Sequence, residues 1–313
     1  MGRLSEKYVA GFLDADGCIR LVLFRTNRPA MALEFSQKTC QDEVLSLIQR
    51  DYGGSISYEV KGNGESYSKL RIAGKAASLV LSRIKQHLVI KRHYAEVCMD
   101  LYSREIAPVE YEKVREYLKI QRKQKSLPLP NFPPRKWLAG YLDGDGCFSV
   151  TGLRKPFGQA QMVLHVAASD FDTEGIEVIQ KVFGGAIHEM CAGRVRQLVV
   201  SFSAKSKVEE VLSYCAGHMI VKRSQAEFLL RCAAMGHFRD GKNIKAAMAH
   251  LKAHPHRLNE PKPNIDALVK TVQDLPPNER SHEDYSRASY KAHATRRAKR
   301  QSDLLLDRRV SSS

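Results

Sequence analysis

Polar and apolar residues alternate along 69–72: Leu70 and Ile72 turn to one side of a strand, and Lys69 and Arg71 share the other. The same period puts Arg20, Val22 and Phe24 on one face of a strand over Cys18 to Phe24, with its return over Met31 to Phe35. A further strand pair is predicted at Ile56 to Val60 and Tyr67 to Ile72. Helices are predicted between and around these strands. One, capped by Ser5, runs from Glu6 to about Asp14 and ends at Gly17; a second spans Cys40 to Asp51 and closes on Gly53-Gly54. Two more cover Lys75 to Gln86 and Arg92 to Tyr102.

The whole pattern recurs. YVAGFLDADGC at 8–18 returns as WLAGYLDGDGC at 137–147, an offset of 129 residues. DYGGSI at 51–56 returns as VFGGAI at 182–187, and HLVIKRHYAE at 87–96 as GHMIVKRSQAE at 217–227. The second copy has a helix led by Pro134 and ended by Gly146, with strands at Cys147 to Val150 and Gln161 to Val166. A helix over Thr173 to Phe183, closed by Gly184-Gly185, precedes strands at Ala186 to Cys191 and Arg196 to Phe202. Helices at Lys207 to Ala216 and Ser224 to Ala233 complete it. The predicted class is α+β, an α-β-β-α-β-β-α-α unit repeated. In each half, four antiparallel strands carry helices on one face, leaving the other to water or a ligand, so two halves make a wide saddle.

The boundaries follow: a first half at 1–107, a linker at 108–135, a second half at 136–236 and a basic tail at 237–313. The linker combines a charged helix over Pro108 to Gln124 with a stiff proline-rich stretch over Ser126 to Arg135. The tail holds 16 Lys or Arg against 9 Asp or Glu, with short helices expected at Asn243 to Ala253 and Asn264 to Val269. From Pro276 onward it reads as largely disordered, with a basic cluster at Arg296, Arg297, Lys299 and Arg300. Added grip on a polyanion and a solubilising role are both open to it.

Charge narrows the partner. Fifty Lys and Arg against 34 Asp and Glu leave a formal +16, which favours nucleic acid over an anionic membrane. Seven cysteines without a CxxC pair, and no signal peptide, imply free thiols in a reducing interior rather than secretion; organelle and cytoplasm are not distinguished. No apolar run reaches the length of a membrane span.

The repeated motif carries the chemistry. Ala10-Gly11 and Ala139-Gly140 are small patches through which two helices can approach closely, sealed by Tyr8, Phe12, Trp137 and Tyr141. Packed that way, Asp14, Asp16, Asp143 and Asp145 gather at two helix C-termini, where the macrodipole disfavours carboxylates unless a cation answers them. Asp14 and Asp143 are expected to bind nearby backbone or reach across the helix pair, and Asp16 and Asp145 to hold a hard divalent ion.

VAGFLDADG and LAGYLDGDG closely resemble the motif that defines the LAGLIDADG homing endonucleases, in their single-chain, two-motif form, over roughly residues 5–235. The resemblance implies two halves packed through their motif helices, with the sheets forming a saddle over a DNA major groove. It implies a site-specific double-strand endonuclease that hydrolyses one phosphodiester per strand by in-line attack of metal-activated water, leaving short 3′ overhangs. Asp16 and Asp145 become ligands of Mg²⁺, a place Mn²⁺ or Ca²⁺ can also take. Lys91 and Lys222 fall where the family has a lysine near the hydrolytic water, and Gln37, in FSQKT, where some members order water. The second half departs from this pattern, having Ala168 where the first has Gln37.

Target reading is expected from Arg20, Lys38, Lys69 and Arg71 in the first half and Gln159, Gln161, Arg194 and Arg196 in the second, with Arg92 and Arg223 as phosphate contacts. Unlike loops at 25–31 and 152–162 imply a long, asymmetric target. The expected partner is duplex DNA, with no membrane and no obligate protein partner. Two other readings use the same scaffold: an intron maturase that binds its host RNA, and a non-catalytic DNA-binding regulator.

Overall fold

The computed structural model describes residues 2–23, 29–62, 64–104, 106–124, 130–152, 160–169, 173–192, 195–234, 241–253 and 263–274. Phe24, much of the loops at 25–31 and 152–162, Gln159, Arg194 and the basic cluster at 296–300 lie outside them.

The first half runs α1 (Glu6–Asp16), β1 (Gly17–Leu23), β2 (Pro29–Lys38), α2 (Glu43–Tyr52), β3 (Ser55–Val60), β4 (Ser66–Ala73), α3 (Lys75–Ile84) and α4 (Arg92–Tyr102). After the linker helix α5 (Tyr111–Gln121), the second half repeats it as α6 (Arg135–Asp145), β5 (Gly146–Gly152), β6 (Ala160–Ser169), α7 (Glu174–Phe183), β7 (Ala186–Ala192), β8 (Val195–Phe202), α8 (Lys205–Cys215) and α9 (Arg223–Ala234). The strands form two antiparallel sheets ordered β1-β2-β4-β3 and β5-β6-β8-β7. Their registers match: Gly17 pairs with Phe35, and Gly146 with Val166. Along β4, Leu70 and Ile72 are fully buried while Lys69 and Arg71 are exposed, which sets the face each strand residue takes.

Three local features differ from the sequence reading. Gly17 and Gly146 end their helices with φ of −107° and −74°, extended rather than left-handed, because each is itself the first residue of a strand. Glycine is required there by space: a Cβ would stand 2.7 Å from the Leu13 carbonyl oxygen at Gly17 and 2.5 Å from that of Leu142 at Gly146. Ser5 occupies the N-cap of α1 but makes no side-chain capping bond. Strand β2 also extends beyond Phe35, which carries Gln37 into the sheet.

Helices α1 and α6 pack backbone to backbone at the centre. A Cβ on Gly11 would lie 2.0 Å from the Trp137 carbonyl oxygen, and one on Gly140 2.2 Å from that of Tyr8. The stacked rings of Trp137 and Tyr141, 5.0 Å apart, and of Tyr8 and Phe12, 6.4 Å apart, flank that contact. One continuous hydrophobic core joins both halves through it.

Helices occur at both places expected in the tail, as α10 (Gly241–Ala253) and α11 (Ile265–Asp274). Ile244, Met248 and Leu251 of α10 are buried, and the helix packs on α9 and across β5. It follows the last helix of its half, as α5 follows and packs on α4. Each half is thus followed by a helix packed on its last core helix, α10 lying in addition across β5. No helix among the described residues is long and apolar enough to cross a membrane.

Candidate active site between the motif helices

The first acid of each motif is structural. Asp14 is buried and accepts the backbone N–H groups of Val89 (2.7 Å) and Lys91 (2.9 Å) and the indole N–H of Trp137 (2.8 Å). Asp143, equally buried, accepts the N–H groups of Ile220 (2.7 Å), Val221 (3.1 Å) and Lys222 (2.8 Å), and the Tyr8 hydroxyl at 2.6 Å. Each therefore ties the turn before the last core helix of its half to the motif helix, with one bond crossing to the other half. Burial pushes both carboxyls above the usual range, and these donors, with Lys91 and Lys222, oppose it. Tyr8 is held well above its ordinary value by burial and by Asp143.

The second acid stands one step beyond, where the two helix ends meet. A Cβ on Gly144 would come within 2.4 Å of the Ala15 Cβ and 3.5 Å of the Asp16 Cβ, so the motif ends abut and Asp16 approaches α6. Gln37 donates its amide to Asp16 Oδ2 at 2.6 Å and is itself buried. Burial raises the Asp16 pKa; Lys222 of the opposite half opposes this most, then Lys91. In β6, Ala168 pairs with Leu198 at the place matching Gln37 opposite Ser68, so the second half has no such amide at this position.

The two lysines cap the motif helices. Lys91 Nζ donates to the carbonyls of Leu13 (2.9 Å), Asp14 (2.7 Å) and Gly17 (2.9 Å), and Lys222 Nζ to those of Leu142 (2.9 Å) and Gly144 (2.8 Å). A cation there meets the negative end of each macrodipole, beside the carboxylates. Desolvation pulls the Lys222 pKa below the lysine norm, while Asp143, Asp16 and Asp145 pull it back up. Among the described residues no three His, Cys, Asp or Glu side chains converge into a complete metal cage. The donor set instead offers two carboxylates at abutting helix ends, which suits a hard cation whose remaining ligands are water and phosphate oxygens.

On the open face of the first sheet, Arg20, Lys69 and Arg71 project as expected, but acids hold them. Glu34 takes Arg20 Nε at 2.9 Å and Arg71 Nε at 3.7 Å, while Lys69 pairs with Glu59 and Lys38 with Glu65. Sequence reasoning missed Glu34, although its alternation with the buried Leu33 and Phe35 marks it as outward-facing. The second sheet presents His165, whose Nδ1 is 2.8 Å from Ser201 Oγ, and His188 beside them. Gln161 lies in β6 and Arg196 in β8. Arg92 is turned back onto the carbonyls of Leu88 and Gln86, and Arg223 pairs with Glu227 one turn along α9.

A family model described as LAGLIDADG endonuclease matches residues 138–235, the second half. Solved structures share the whole two-half arrangement. The LAGLIDADG homing endonuclease I-GzeII in complex with its DNA target aligns with a TM-score of 0.58 at 15% identity, covering 89% of this chain and 100% of that one. The second half thus matches the LAGLIDADG endonuclease family, and the whole chain shares the fold of that two-half structure. Two other solved structures align similarly. The meganuclease I-AabMI bound to uncleaved DNA gives 0.53 at 15% identity, over 81% of this chain and 100% of that one. I-SmaMI, bound to uncleaved DNA in the presence of calcium ions, gives 0.53 at 17% identity, over 87% and 99%. No curated protein sequence matches the chain. The first motif, outside the matched segment, takes its place in the LAGLIDADG fold through its packing against the second.

Proposed function

We propose that this chain is a site-specific double-strand DNA endonuclease of the homing type, which hydrolyses one phosphodiester on each strand of a long asymmetric target with Mg²⁺ and leaves short 3′ overhangs. The observation that carries this reading is the abutment of the α1 and α6 C-termini, where each helix ends on the second acid of its motif, Asp16 or Asp145. One carboxylate then serves each strand of a duplex lying across both sheets. The DNA-bound state of the structurally similar proteins supports the choice of partner.

Asp16 and Asp145 would hold the divalent ion or ions. When bound, such an ion supplies a water of lowered pKa and shields charge developing on the phosphate. The chain's own residues prepare that place. Gln37 fixes one Asp16 oxygen and so sets the direction of the other. Lys91 and Lys222 fasten the helix ends, and their charge favours Asp16 as an anion against the pull of burial. Held there, the ammonium groups also place positive charge beside a phosphate approaching the acids.

The test is a cleavage screen of the full-length chain on a randomised duplex library with Mg²⁺, run beside a chelated control. Recovery of one family of long, asymmetric sites cut on both strands, only with metal, is the expected result. Sequence-selective duplex binding without cleavage in Mg²⁺ or Mn²⁺ would instead mark a DNA-binding regulator.

A further inference from the structure

The first sheet's open face presents a paradox for a surface meant for a polyanion. Its four cations, Arg20, Lys38, Lys69 and Arg71, face three carboxylates, Glu34, Glu59 and Glu65, each within ion-pair distance of at least one of them. For grip on phosphates alone these acids are a handicap, since each repels the backbone. Glu34 is the central one. It lies on β2, directly opposite Arg71 of β4 and two residues along from Ala32, the partner of Arg20 on β1. One of its oxygens lies 2.9 Å from Arg20 Nε, and the other faces Arg71 Nε at 3.7 Å as an ion pair. An arginine held through Nε keeps its two Nη groups as the fork that can make a two-point contact, the geometry that fits O6 and N7 of guanine.

We propose that Glu34 is a specificity-determining residue that positions Arg20 and Arg71 as a pair of guanine readers. Because their strands flank β2 and they stand opposite residues two apart on it, about 9.6 Å across the sheet and about 7 Å along it separate them, about 12 Å in all. That span corresponds to guanines about three to four base-pair steps apart in the major groove. The role rests on the endonuclease reading only in taking duplex DNA as the ligand.

The experiment compares base preferences of the wild-type chain with those of Glu34→Gln and Glu34→Asp, by selection from a randomised duplex library, alongside affinity for a non-specific duplex. Glu34 sits on the sheet surface, so these variants leave the core intact. In Glu34→Gln, guanine enrichment should fall roughly tenfold at two nearby positions and stay unchanged elsewhere. Non-specific binding should tighten, because a repelling charge has gone. Glu34→Asp should recover part of the lost discrimination. Unchanged base preferences in Glu34→Gln would show that Glu34 only balances charge and would overturn the proposal. Loss of preference at a single cytosine would also overturn it, by showing that Glu34 reads a base itself. If the wild-type chain enriches no duplex at all, the endonuclease reading fails, and this role with it.

Discussion

The two motif ends share a scaffold but differ in the residue that the neighbouring strand places beside the outer acid. Asp14 and Asp143 anchor the neighbouring turns through almost the same bonds, and Lys91 and Lys222 cap the two helices alike. Asp16 receives the Gln37 amide from β2, whereas the matching position in β6 is Ala168. Symmetry is thus kept at the first acids and the lysines, which hold the fold together, and broken at Gln37 and Ala168.

The largest test addresses the shared part. Replacing Asp14 or Asp143 with Ala strands three or more buried donors, and each should cost about 3–5 kcal/mol of stability in urea unfolding. The two losses should be similar; a marked difference would show that the halves are not anchored alike. The next probes the helix crossing. Gly144→Ala pushes a methyl into Ala15 and should destabilise by about 1–3 kcal/mol. Adding Ala15→Gly moves the small residue to the other helix and should restore most of that loss, unless the crossing is fixed by more than volume.

A smaller effect separates the halves. Gln37→Ala should slow nicking of one strand roughly tenfold, the scale of one lost orienting hydrogen bond, and leave the other strand unchanged. Ala168→Gln in the same background asks whether the asymmetry can be reversed; equal slowing of both strands by Gln37→Ala would refute the assignment of one acid per strand. The smallest effect concerns pH. Burial, then His188, holds the His165 pKa below the ordinary histidine value. The unfolded chain therefore binds that proton more readily. Above about pH 6.5 the group is neutral in both states and contributes nothing, and stability is lost as pH falls below it. His165→Gln should flatten that part of the urea-midpoint profile between pH 7.5 and 5.

Much of the fold was legible because periods of two and 3.6 residues recur in the same order twice, so errors in one half are checked by the other. The motif acids stood out for the same reason, and counting from the Gly-Gly turn placed Ala168 at the register position the sheet gives it. The lysine caps were not legible. Where an ammonium ends depends on how the turn before α4 or α9 docks on a helix more than seventy residues earlier in the chain. The Glu34 bridge was hidden likewise, since it needs β2 to lie between β1 and β4, an order that alternation alone leaves open. The α10 packing was masked by a tail whose composition is dominated by charge, with its apolar stripe confined to Ile244, Ala247, Met248 and Leu251.

The central claim is that Asp16 and Asp145 are the groups on which strand cleavage depends. The most direct measurement follows each strand of a selected target with Mg²⁺ for Asp16→Asn, Asp145→Asn and the double variant, with duplex affinity measured in parallel. Each single variant should lose nicking of one strand by about 100-fold or more, and the double variant should lose both, with binding retained. Undiminished cleavage by the double variant, bound as tightly as wild type, would contradict the account.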